Sequence, residues 1–188
     1  MNLPNKLTIL RVILVPFFVF FLLTDFIPFS KIVALVIFIA ASVTDALDGH
    51  IARSQNLVTT FGKFLDPLAD KVLVLSALIC FCKLGIVGAV PVIIIMAREF
   101  MVSGLRLVTA NEGVVVAAGI WGKLKTAFTL VAEVVILFTL CLNIEAGSNA
   151  AAIVNVVNQT LIWIATALTI ISGGIYLKGY WKYIDASK

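Results

Sequence analysis

Charge is scarce in this 188-residue chain: Lys, Arg, Asp and Glu make up 13% of it, and apolar residues reach 62%. Soluble domains carry roughly twice that share of charge. With a mean hydropathy of +1.14, the composition excludes an ordinary water-soluble domain and leaves a polytopic membrane protein. Histidine is rarer still. The single His50 has no second histidine to share a metal with. Cysteine is limited to Cys80, Cys82 and Cys141, an odd number inside apolar runs, at spacings that match no zinc or disulfide pattern. These cysteines read as apolar filler. Internal repeats, low-complexity tracts and loops long enough for a soluble domain are all missing, so one domain over 1–188 is expected. The partner expected for such a surface is the lipid bilayer, with no nucleic acid. A secretory leader is also not expected: Lys6 and Arg11 precede the apolar run Val12–Leu23, but no small-residue cleavage site follows.

What is abundant is apolar sequence of spanning length, about 20 residues per crossing. Six segments qualify, approximately 6–24, 31–53, 62–83, 87–108, 123–142 and 153–177, separated by breaks rich in Gly, Asn, Ser and Pro. The expected fold is therefore all-α, with six transmembrane helices. Short-loop Lys and Arg set the orientation. If the N-terminus is cytoplasmic, that side collects Lys6, Arg11, Arg53, Lys63, Arg106, Lys123, Lys125, Lys178, Lys182 and Lys188, against Lys31 and Lys83 opposite. Ten against two places both termini in the cytoplasm, in a multi-pass protein of the cell membrane.

Against this background, the stretch TDALDGHIARSQNLVTTFGKFLDPLAD is anomalous, with Asp45, Asp48, Asp66 and Asp70 within 26 residues. A carboxylate at membrane depth costs roughly 2.5–3.5 kcal/mol even on lenient scales. Measured from the cytoplasmic loop near 54–61, Asp48 is five residues before Arg53 and Asp66 four after Gly62, while Asp45 and Asp70 are each eight away. At ~1.5 Å per residue the two pairs lie at matching depths on antiparallel helices. Spacings of i, i+3 and i, i+4 put each pair on one helix face. The four carboxylates can thus meet at one locus, a turn or two below the interface, in a cytoplasm-facing polar cavity.

Like charges so close must be protonated or neutralised. Oxygen-only ligation suits two divalent cations, Mg or Mn, and paired ions can stabilise entering and leaving oxygens at phosphorus. Gly49, Ala52 and Gly62 leave room for a bulky ligand, and Arg53 is placed to meet a phosphate. Ion pairing of these aspartates with Arg53, Lys63 and Lys71, or a cation path through the membrane, are the alternatives that spacing alone leaves open.

The segment from Asp45 to Asp70 fits D-x2-D-G-x2-A-R-x8-G-x3-D-x3-D at every fixed position. This resembles the signature of the CDP-alcohol phosphotransferases, integral membrane enzymes of phospholipid synthesis, and the six-span layout is similar over essentially the whole chain. The resemblance implies that Asp45, Asp48 and Asp66 are metal ligands. It further implies that Asp70 completes the second metal site and is the catalytic base for the acceptor hydroxyl. Gly49, Ala52, Arg53 and Gly62 would bind the CDP moiety of CDP-diacylglycerol. Asn5, Thr8 and Arg11, in N-K-L-T-I-L-R, look like a family element near the nucleotide, although Lys6 and Arg11 are equally well read as interfacial anchors. The resemblance also implies a homodimer.

The acceptor is addressed by a second set of charges. Arg98 and Arg106 lie eight residues, about two turns, apart on one face of the fourth segment, and Lys123 and Lys125 enter the fifth from the same side. Two arginines on one face point to an anion in a cavity, which favours a phosphorylated acceptor over a neutral polyol or a choline-like cation. Internal pairing of Arg98 with Glu99 or Glu133 is the alternative. The strings AREFMVSGLR and GKLKT are similar to segments of the family branch whose acceptor is glycerol 3-phosphate. Other family acceptors (inositol phosphate, serine, phosphatidylglycerol), a membrane prenyltransferase and a small cation transporter are the remaining rivals. Against the last, no repeat is evident and Pro91 is the one candidate helix break.

Overall fold

The computed structural model describes the backbone of residues 3–54, 60–111, 119–142, 144–145 and 147–181, and the side chains of 5–45, 68–69, 71–109 and, beyond 118, those same stretches. These residues form an all-α bundle of six helices: α1 (Leu3–Leu23), α2 (Ser30–Ser54), α3 (Thr60–Lys83), α4 (Ala89–Asn111), α5 (Ile120–Cys141) and α6 (Asn149–Tyr180). Each matches one expected segment to within about five residues. Among the described residues, three helices are long and apolar enough to cross a membrane: Asn5–Leu23, Ile120–Cys141 and Asn149–Tyr180.

The helix ends follow from local chemistry. Pro91 falls in the first turn of α4, where no intrahelical N–H is needed, so it starts the helix and does not break it. Gly85, at φ +74°, takes the left-handed conformation that closes α3, and its N–H reaches back to the Cys82 carbonyl at 3.1 Å. The Ser148 hydroxyl caps α6 by accepting from the Ala151 N–H at 3.1 Å, so α6 begins several residues before its apolar run.

In lipid, helices associate through close packing and internal polar contacts, because the tails are as apolar as leucine. On α1 the buried positions Asn5, Thr8, Arg11, Val15, Phe18 and Leu22 recur every three or four residues, polar at one end and apolar at the other. α2 answers with Ala34 and Ala41, whose small side chains let α1 approach, and with Phe38, whose ring packs 5.4 Å from that of Phe18. Phe81, Ile95, Ile136 and Ile162 extend the same core through α3 to α6. Phe17, Val36, Ile93, Phe138 and Trp163 project outward, as a lipid-facing surface requires.

Polar groups inside the bundle are mostly self-satisfied. The hydroxyls of Thr129, Thr166 and Thr169 each donate to the carbonyl four residues earlier. Gln159 of α6 donates to the Ile86 carbonyl at 2.7 Å, tying α6 to the α3–α4 turn. The three cysteines are free thiols, Cys80 buried and the others partly so.

Candidate active site

A cavity of about 660 Å³ opens in one half of the bundle. Its wall is built from the N-terminal half of α1 (Arg11), the C-terminal half of α2 (Ser42, Asp45), the middle of α3 (Lys71), α4 (Arg98 to Arg106), the first half of α5 (Gly122 to Leu130) and the C-terminal part of α6 (Tyr176). An up-and-down bundle brings these stretches to the same end, the one where α1 starts and α6 finishes. Sequence positions far apart, such as Arg11 and Tyr176, therefore line one space.

On the α1–α2 side, the Arg11 Nη1 meets the Asp45 Oδ1 at 2.6 Å. Arg11 is 1% exposed, whereas the Asp45 side chain is 44% exposed. The guanidinium is thus a fixed part of the wall and the carboxylate faces open space. Arg11 is buried, unlike the exposed anchor that the sequence also allowed, and Lys6 lies on the exposed face of α1. Asn5 and Thr8 share the buried stripe with Arg11.

On the α4–α5 side, Glu99 organises the charges. Its Oε1 accepts from Arg98 Nη1 at 2.9 Å and from Lys125 Nζ at 2.5 Å. The second terminal nitrogen of Arg98 donates to Ser172 Oγ of α6 at 2.6 Å. Arg98 therefore takes the nearer of its two candidate acids. Glu133 is completely buried, and among the described residues neither of its oxygens has a hydrogen-bond partner. Arg106 and Lys123 are exposed and line the same cavity.

α6 contributes residues that sequence reasoning missed. Ser172 and Tyr176, one turn apart, face α4, and Gly173 lies so close that an added Cβ would come within 3.1 Å of Arg98 Cγ. The guanidinium carbons of Arg98 and Arg106 lie 5.5 and 5.8 Å from the centroid of the Tyr176 ring. The only sequence signal for this cluster was the run S-G-G-I-Y near the end of an otherwise apolar segment.

Of the expected metal ligands, Asp45 alone lies within the described side chains. Asp48, Asp66 and Asp70, with Gly49, Ala52, Arg53 and Gly62 of the expected CDP site, lie outside them. Among the described residues no three His, Cys, Asp or Glu side chains come together. The donor chemistry nonetheless fits a hard cation: the Asp45 carboxylate offers oxygen to the cavity, and Arg11 fixes its direction from behind.

A cavity inside an apolar bundle, with a carboxylate on one wall and a basic cluster on the other, has the chemistry that suits an anionic ligand. The chain belongs to the CDP-alcohol phosphatidyltransferases, whose family model matches residues 1–171. It is similar over nearly its whole length to a CDP-diacylglycerol–glycerol-3-phosphate 3-phosphatidyltransferase of Bacillus subtilis (strain 168). The two are 42% identical over 197 aligned positions, which cover 99% of this chain and 98% of the relative. Proteins of the same name from Rickettsia bellii (41% identity, 97% of each chain) and Yersinia enterocolitica (37% identity, 97% of this chain and 96% of the relative) are similar on the same scale.

Proposed function

We propose that this chain transfers the phosphatidyl group of CDP-diacylglycerol to sn-glycerol 3-phosphate, giving phosphatidylglycerophosphate and CMP. The observation that carries the reading is the division of the cavity wall: Asp45 on α2, and Arg98, Arg106, Lys123 and Lys125 on α4 and α5. The first fits the CDP-linked donor and the second a phosphorylated alcohol. Similarity to relatives that carry this activity in their names supports it.

In this mechanism the acceptor phosphate binds Arg106 and Lys123, with Arg98 and Lys125 held behind them by Glu99. Gly49, Ala52, Arg53 and Gly62 take the CDP moiety, with Arg53 on its phosphates, and Arg11, Asn5 and Thr8 complete the nucleotide side. Asp45, Asp48, Asp66 and Asp70 would hold two divalent cations, Mg or Mn, which supply positive charge to the pyrophosphate. Asp70 accepts the proton of the acceptor's free primary hydroxyl. That oxygen then bonds to the β-phosphorus, which carries the diacylglycerol. The bond from this phosphorus to the bridging oxygen breaks, and its electron pair leaves on CMP. The acyl chains stay in lipid. We place all six helices across the cell membrane, with the cavity and both termini on the cytoplasmic side, in a homodimer.

The test is CMP release by purified protein with a panel of acceptor alcohols at saturating CDP-diacylglycerol. Glycerol 3-phosphate should support turnover and inositol phosphate, serine and phosphatidylglycerol should not, and Asp70→Asn should lose CMP release. Another alcohol working in place of glycerol 3-phosphate would overturn the acceptor. Near wild-type release by Asp70→Asn would overturn the base.

A further inference from the structure

A tyrosine near the end of a spanning helix usually anchors at the interface, ring in lipid and hydroxyl in water. Tyr176 does the opposite: it is 5% exposed and turned into the bundle. Among the described residues, its contacts with α4 and α5 bear on what it does there. Its ring lies between Arg98 and Arg106, 5.5 and 5.8 Å from the two guanidinium carbons. These arginines are eight residues apart on α4, roughly 12 Å along the axis, so one ring engages both only from between them. Its hydroxyl accepts a hydrogen bond from the Gly119 N–H at 3.0 Å, where α5 begins. Its edge rests on Gly122, where an added Cβ would lie 2.8 Å from the Tyr176 oxygen and 3.2 Å from Cε2.

The two arginines are held very differently. Arg98 is fixed by Glu99 and Ser172. Arg106 is exposed, and among the described residues no carboxylate pairs with it. A long, freely rotating side chain loses much rotamer freedom when it grips an anion, so a ring that already holds the guanidinium lowers that loss. By pressing on Gly122 and bonding to Gly119, the same ring also sets the position of the first turn of α5, which carries Lys123.

We propose that Tyr176 is the positioning residue of the acceptor pocket: a strut joining α4, α5 and α6 that sets the spacing of Arg106 and Lys123 against Arg98 for a phosphate monoester. It rests on the acceptor reading above and adds to it the group that gives the pocket its dimensions. Tyr176 itself need not touch the phosphate. The acceptor it favours is small, because the ring fills the space between the arginines that a bulkier alcohol would need.

The experiment measures KM for glycerol 3-phosphate and for CDP-diacylglycerol separately, in the purified full chain. Tyr176→Leu should raise the glycerol 3-phosphate KM roughly tenfold, between the scales of an exposed and a desolvated cation–π contact, and leave the CDP-diacylglycerol KM within about twofold. Tyr176→Phe keeps the ring and should stay within about threefold of wild type, since one hydrogen bond is lost. Gly122→Ala should raise the same KM by displacing the ring. Adding Tyr176→Phe to Gly122→Ala removes the nearest clash and should recover most of the loss, a non-additivity that contact through Tyr176 alone produces. Arg106→Gln serves as the control on the underlying reading. If Arg106→Gln raises the acceptor KM and Tyr176→Leu does not, the strut is wrong and the pocket stands. If neither moves it, the pocket itself is wrong and the strut falls with it. If Tyr176→Leu does not fold, the Gly122→Ala pair decides: additive effects in the double variant overturn the proposal.

Discussion

Replacing Glu99 by Gln tests the electrostatics of the cavity wall. One carboxylate oxygen receives both Arg98 and Lys125, and the Lys125 side chain is only 3% exposed. The substitution keeps the shape and one acceptor but removes the charge, leaving Lys125 buried beside Arg98 with its counter-charge gone. Breaking a buried pair from one side costs about 3–5 kcal/mol. The amide oxygen still accepts one bond and Glu99 keeps 16% exposure, so the lower end, about 3 kcal/mol, is expected. For a chain of this length each kcal/mol moves Tm by about 2–4 °C, so thermal unfolding in detergent should show a fall of roughly 6–12 °C. Glu99→Gln/Lys125→Met removes the more deeply buried of the two cations along with the carboxylate, leaves Arg98 bonded to Ser172, and should recover part of that loss, because the cost lies in the orphaned charge rather than in the missing bond. A Tm within about 2 °C of wild type for the single variant would refute the reasoning, and so would a double variant no more stable than the single one.

Two further outcomes follow from other contacts. Arg11→Met keeps the stem in the α1 stripe but takes the guanidinium from Asp45; the KM for CDP-diacylglycerol should rise at least about tenfold, on the scale of one charge-assisted contact, while that for glycerol 3-phosphate stays put. Equal rises in both would place Arg11 outside the nucleotide side. Gly173→Val drives a branched side chain at the Arg98 stem, where even a Cβ would sit 3.1 Å away, and should cost about 1–3 kcal/mol by overpacking, read as a lower Tm; Gly173→Ala should cost far less.

The six helices were legible because spanning length and apolar composition are one-dimensional properties. Boundaries shifted where local caps outran hydropathy, as at Ser148, which starts α6 ahead of its apolar run. The shared face of Arg98 and Arg106 was legible from spacing, and the structure brings both to one ring. Which acid Arg98 would choose was not, because Glu99 and Glu133 are both within reach by sequence and only the rotamers decide. Tyr176, Ser172 and Gly173 were invisible for a different reason. Their role depends on which helix α6 packs against, and hydropathy gives a spanning segment no information about its neighbours. The aspartate signature was the reverse case: fixed spacing on a known hairpin made its residues the clearest part of the sequence.

The clip between Gln159 and the Ile86 carbonyl, at the end of the bundle remote from the cavity, has a consequence for traffic. Among the described residues, that bond ties α6 to the α3–α4 turn, so the helices are braced at the end away from the cavity while the charged wall lies at the other. In the reaction proposed above, donor, acceptor and CMP all share this one cavity, so spent nucleotide has to clear it before the next donor can settle.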